Sequence, residues 1–115
     1  MKIINLTPHP VTLIVEGGPV EVPPSGLVVR AKETRELVGV LGDKSVSIPL
    51  YRISYGEPEG LPEIDQDAYY IVSSLAAQAV KAHFPPDVAE RFVVVTDLVR
   101  DESGRVIGAR SLALV

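Results

Sequence analysis

One stretch of this chain reads as helix, and its isolation constrains the fold more than any other feature. From Asp67 to Phe84 the sequence runs DAYYIVSSLAAQAVKAHF. Tyr69 to Val72 predicts a short strand, and Ser73-Ser74 predicts a turn whose hydroxyls are suited to capping a helix N-terminus. Beyond it, Leu75, Ala76, Ala79, Val80 and Ala82 recur at helical spacing and make one apolar face. Pro85-Pro86 stops the helix, as prolines do just past a C-terminus. Small side chains dominate that face, so the helix is able to sit close against what it covers.

The rest of the chain reads as strands and turns. Lys2–Asn5 is a short apolar strand, and Thr7-Pro8-His9-Pro10 is a turn, since each proline drives its predecessor out of the helical region. Val11–Glu16 and Val20–Val22 flank Gly17-Gly18-Pro19 as a β-hairpin. After the turn Pro23-Pro24-Ser25-Gly26, Leu27–Ala31 forms another strand that frays into residues 32–36. Val38–Lys44 contains Gly39, Gly42 and Asp43 and reads as a turn region. Val46–Ile48 and Leu50–Tyr55 alternate apolar and polar residues, with Pro49 marking an edge or a bulge. Gly56–Asp67 carries five carboxylates with Gly and Pro and reads as a surface loop. Arg91–Val95 is a buried-type strand, and Leu98–Arg100 and Arg105–Ile107 flank a turn at Asp101–Gly104. The expected fold is α+β: an antiparallel β-sheet of about six to eight short strands with one main α-helix packed on it, in a single domain over residues 1–115.

Composition narrows the function classes. A net charge of −4 argues against general nucleic-acid binding, which needs a basic face. The chain has no cysteine, hence no thiolate nucleophile, disulfide or thiolate metal ligand. No apolar run reaches the length of a membrane span, and the opening MKIINLTPHP lacks the apolar core of a signal peptide. A cytoplasmic, non-membrane protein is the expectation. One Asn, two Gln, one Met and ten Pro, with arginine exceeding lysine, fit a hot environment.

Catalytic signatures are missing. His9 and His83 stand far apart with no metal-binding spacing, and the acidic run Glu57, Glu59, Glu63, Asp65, Asp67 lacks the pattern of an EF-hand loop. There is no GxSxG, no phosphate-binding P-loop and no dinucleotide fingerprint. A non-enzyme with no cofactor and no metal is therefore expected. Anion binding is the remaining chemistry. The Ser73-Ser74 junction offers hydroxyls, free amides and the positive end of a helix. Arg30, Arg52, Arg100 and Arg110 lie on or beside strands, and guanidinium groups suit phosphate. Tyr69 and Phe84, with Tyr51 and Tyr55, offer surfaces on which a base stacks. Solvated strand arginines, and serines that merely cap, are the plainer alternative.

Several phrases recur together across the chain: Ile4-Asn5-Leu6-Thr7-Pro8-His9, Pro24-Ser25-Gly26 followed by Val29-Arg30, Gly56-Glu57 with Gly60-Leu61-Pro62, Tyr70-Ile71-Val72-Ser73, and LVRDESGRVIGARSL from Leu98 to Leu112. In these the chain resembles a group of small phage and prophage proteins that open with apolar-Asn-Leu-Thr-Pro-His. In size and β-rich make-up it also resembles the Thoeris anti-defence sponges, small oligomeric phage proteins that capture cyclic ADP-ribose-type or cyclic-oligonucleotide signals without cleaving them. No site motif aligns residue by residue. The resemblance implies a pocket with arginines for phosphates and aromatics for a base, and a homo-oligomer is expected because a small valine-rich sheet leaves edges and apolar surface to cover.

Three functions follow as expectations. The first is non-catalytic sequestration of a phosphate-bearing nucleotide signal by Arg30, Arg52, Arg100 and Arg110, with Tyr69, Tyr51 or Phe84 stacking and Ser73 and Ser74 donating. The second is a protein-binding inhibitor or regulator of a host enzyme, working through a sheet edge or the acidic loop. The third is a hydrolase using His9 or His83.

Overall fold

Backbone hydrogen-bond pairing divides the strands into two sheets of different character. A computed structural model describes residues 2–115. Eight strands, β1 (Lys2–Asn5), β2 (Val11–Val15), β3 (Gly18–Val22), β4 (Arg30–Gly42), β5 (Ser47–Glu59), β6 (Ala68–Ile71), β7 (Phe92–Arg100) and β8 (Val106–Leu114), accompany helices α1 (Ser74–His83) and α2 (Pro86–Ala89). Six strands form one sheet in the order β1-β6-β7-β8-β2-β3, while β4 and β5 pair only with each other.

The fold is mixed α and β and mostly strand, as expected, but the main sheet is not antiparallel throughout. β1 with β6, β6 with β7, and β8 with β2 run parallel; β7–β8 and β2–β3 are antiparallel. The parallel β6–β7 pair follows from the helix itself. A chain that leaves a strand, runs back through a helix and re-enters the sheet beside that strand returns in the same direction.

The sheet curls, and a parallel bridge between Asn5 and Pro24 joins its two ends. Asn5 organises that closure while only 1% exposed. Its Nδ2 donates to the carbonyls of His9 (2.7 Å) and Val22 (3.1 Å), and its Oδ1 accepts from the Thr7 amide at 2.9 Å. A leucine of similar size would remove all three bonds and leave the His9 carbonyl only its bond from the Thr7 hydroxyl at 3.0 Å.

α1 covers one face of the main sheet. Ala76, Ala77 and Val80 pack with Tyr70, Val72 and Phe92, and Leu6 and Val29 complete the core. The rings of Tyr70 and Phe92 stack with centroids 5.3 Å apart. Tyr70 stays satisfied while buried, because its hydroxyl accepts from the Asp65 amide at 2.8 Å.

The second sheet departs most from expectation. Val38–Gly42 belongs to β4 rather than to a turn region, and Gly56–Glu59 belongs to β5 rather than to the acidic loop. The reversal itself needs only residues 43–46. There the Asp43 carboxylate accepts from the amides of Ser45 and Val46 and from the Ser45 hydroxyl, which holds its pKa below the usual range. Gly42 is required, since at φ +125° a Cβ would collide with the Val46 carbonyl. The result is a 13-residue-per-strand hairpin. The radius of gyration is 17.7 Å, against about 13 Å for a compact chain of this length.

Replacing Asn5 by Ala should cost about 2–3 kcal/mol, because the buried amide's two donated bonds and its bond from the Thr7 amide are all lost. Urea unfolding measures this as a lowered midpoint with an unchanged slope.

Candidate functional site

Two backbone hydrogen bonds bring distant segments to the start of α1. The Leu6 amide donates to the Ile71 carbonyl at 2.9 Å, and the Leu6 carbonyl accepts from the Val29 amide at 3.1 Å. Segments 5–8, 28–30 and 71–73 are thereby fixed side by side. Between them lies a cleft of about 200 Å³ lined by Leu6, Thr7, Pro8, Val28, Val29, Arg30 and Ser73. It sits just beyond the carboxyl ends of the parallel strands β1 and β6, the position where α/β sheets generally bind ligands.

Its polar groups come from all three segments. Ser73 is the N-cap of α1, with extended backbone and a side chain that accepts from the Ala76 amide at 3.2 Å. That bond satisfies one of the orphan amides of the first turn. No acidic side chain occupies that turn, so the positive end of the helix is not neutralised locally. Thr7 is oriented by Asn5, its Oγ1 standing 2.6 Å from Asn5 Oδ1. Arg30 opens β4 opposite Glu59 in register, yet among the described residues it makes no ion pair. Gly60, next along, has φ +85°, and a Cβ there would strike the Val28 carbonyl behind the cleft.

Of the eight residues expected to bind a ligand, Arg30 and Ser73 share this cleft. Ser74 follows as the first helical residue and is exposed. Arg52 lies on the hairpin opposite Glu36, six positions along β4 from Arg30, or roughly 20 Å at strand rise. Arg100 braces the β7–β8 turn, its Nη1 donating to the Gly104 carbonyl at 2.9 Å. Arg110 is exposed on β8. Within one chain the four arginines do not converge.

The aromatics occupy other places. Tyr69 lines an apolar cleft of about 310 Å³ with Ile3, Val93, Leu112 and Leu114. Phe84 is the C-cap of α1 and borders an adjoining cleft of about 390 Å³ with Lys81, Glu90 and Leu114, so Leu114 separates the two rings. Tyr51 and Tyr55 belong to the hairpin, the first under the Arg35 guanidinium at 4.2 Å. Both histidines are exposed, His9 in the turn after β1 and His83 at the last position of α1. Among the described residues no three His, Cys, Asp or Glu side chains group as a metal site would require. No helix among them is long and apolar enough to cross a membrane.

Two residues had not been singled out. Thr7 was read only as part of a turn, although a threonine two positions after a buried Asn is what an Asx turn orders. Arg91 reads in the sequence only as the start of the strand Arg91–Val95. Its guanidinium lies 4.9 Å from the Tyr69 ring centroid, and its Nε is buried with no hydrogen-bond partner. Nothing in its local sequence distinguishes it from the other strand arginines.

Comparison of the chain with family models, curated proteins and solved structures returns no match. The site is defined by its own geometry.

Arg30→Ala should leave stability within about 0.5 kcal/mol of the parent, as expected for an exposed residue without partners. Ser73→Ala should cost about 1 kcal/mol through the lost cap. Parallel denaturant titrations of the two variants read this contrast directly.

Proposed function

We propose that the protein captures a phosphate-bearing nucleotide signal, of the cyclic ADP-ribose or cyclic-oligonucleotide class, and holds it without cleaving it, as a phage anti-defence sponge in the cytoplasm would. The observation that supports this reading is the meeting of Arg30 with the Ser73 cap. A permanently charged fork, without an ion pair among the described residues, lines the same cleft as the Ser73 cap at the positive end of α1, and Thr7 lines it too. Charge-assisted hydrogen bonds from such donors are the strong kind for a phosphate oxygen. The cleft is small, so it suits one phosphate and leaves the rest of a nucleotide outside it. Tyr69, Phe84, Arg52, Arg100 and Arg110 contribute, on this reading, only where assembly of several copies brings them to that outer part.

A second reading, a protein-binding inhibitor or regulator of a host enzyme, is favoured by a different observation, the exposed apolar hairpin. The two separate experimentally. Calorimetry against cyclic dinucleotides, cyclic trinucleotides and ADP-ribose isomers should find at least one tight ligand. Arg30→Ala should weaken it by at least tenfold, about 1.4 kcal/mol or more. Heating the complex should release the ligand chemically unchanged. Absence of binding across the whole panel would contradict the capture reading, and release of a hydrolysed product would contradict its non-catalytic part.

A further inference from the structure

We infer that the β4–β5 hairpin is a dimerisation arm whose apolar face packs against the same face of a second copy of this chain. The argument starts from which side chains share a face. Cross-strand partners lie on one side of a ladder, and Leu37↔Tyr51, Arg35↔Ile53 and Glu33↔Tyr55 are partners. The register shift between Leu37 and Gly39 inserts one extra residue on β4, after which Val40 pairs with Pro49. One face therefore carries Tyr55, Ile53, Tyr51, Pro49, Leu37 and Val40 as an apolar strip, flanked on β4 by Glu33 and Arg35, the latter lying over the Tyr51 ring. The opposite face is polar near the base, where Thr34, Ser54, Glu36 and Arg52 sit, and becomes apolar only toward the tip.

That strip is open to solvent. Ten of the twenty large hydrophobic residues exposed among the described residues lie between Leu37 and Tyr55, and five of these ten, Leu37, Val40, Tyr51, Ile53 and Tyr55, belong to the strip, with Leu37 57% and Val40 62% exposed. At its base the strip runs into α1, where Tyr55 borders a cleft with Leu75, Ala79 and Ala82. A two-stranded hairpin without cover is marginal in water. This one is long, and among the described residues nothing else of the chain pairs with either of its edges.

Three observations select a second copy as the cover. The first is area. The chain exposes 7903 Å², whereas a compact monomer of 12.4 kDa exposes about 6,100 Å². The excess, on the order of 1,800 Å² per chain, matches what each subunit of an obligate homodimer buries. The second is charge. From Arg30 to Glu59 five basic and five acidic residues balance, although the whole chain carries −4. Such an arm meets its own copy without repulsion and offers no net charge to steer it to another macromolecule. The third is supply. A segment this dependent on cover needs a partner at equal amount whenever the chain is made, and the same chain meets that condition. A two-fold arrangement of antiparallel arms is self-complementary, with each tip reaching the base of the other. This inference does not depend on the nucleotide reading.

The lack of cysteine gives a clean test. Ile53 lies at mid-arm on the apolar strip, and Arg52, its neighbour, points to the opposite face. Ile53→Cys treated with a bismaleimide of about 10 Å reach, the spacing of sheets packed face to face, should give a covalent dimer in high yield. Arg52→Cys should give at least tenfold less. Sedimentation equilibrium of the parent should return twice 12.4 kDa, and Ile53→Glu should shift it to monomer at least 100-fold more readily. Should Ile53→Glu fail to fold, the two cysteine variants, which keep the arm, decide the matter. Equal cross-linking of both, a monomeric parent across the micromolar range, or a monomer that binds only a host protein would overturn the inference.

Discussion

Strand β6 is the member on which the remaining structure depends. It has a parallel neighbour on each side, β1 and β7, and nothing so short holds its place without both ladders. Its alternate residues Ala68 and Tyr70 point into the core under α1, with Val72 just beyond, while Ile71 is buried on the other side. Because β7 runs parallel to β6, the chain must cross over between them, and the crossover is the capped helix. The start of that helix is thus tied to the end of β6, and Leu6 ties the end of β1 and the approach to β4 to the same point. Arg30 and Ser73 line one cleft because these backbone hydrogen bonds fix their segments side by side.

Two parts of the molecule differ in how they are held. The curled sheet has a dry aliphatic core, with a buried Asn5 satisfied on both ends of its amide and a Tyr70 hydroxyl accepting from a backbone amide. Its hydrogen bonds rest on buried contacts. The distal hairpin has ladder hydrogen bonds and little else, since its side chains face water on both sides. Exposed apolar surface of that extent, on a segment with balanced charge, is the observation behind the proposed interaction face. The cleft proposed to bind and the arm proposed to assemble occupy separate regions, joined at Arg30, which lines the cleft and opens β4.

Much of this was legible in the residues. The helix stood out because Ala, Leu and Val recur at its spacing between a serine cap and a proline pair. The hairpin turn at Asp101–Gly104 stood out between its flanking strands Leu98–Arg100 and Arg105–Ile107. Two things were not legible. The direction of β6 and β7 depends on a crossover, and strand patterns alone do not record whether neighbours run parallel. The arm was hidden by its glycines: Gly39 and Gly42 read as a turn, yet Gly39 lies in the ladder at the register shift and only Gly42 serves the reversal. Pro49 had signalled an edge or a bulge, and it stands across from Val40 beside that shift, on a strand with one neighbour. As for the site, residue type pointed to arginine and a serine cap, but no spacing in the chain tells that Arg30 reaches α1 while Arg52, Arg100 and Arg110 do not.

Amide hydrogen exchange followed as a function of protein concentration tests the central division most directly. With the arm covered only on assembly, protection of the amides in β4 and β5 should rise with concentration in step with the measured mass, while β6 and β7 exchange slowly throughout. Protection of the hairpin that is already strong in dilute monomer, and unchanged as concentration rises, would contradict the account.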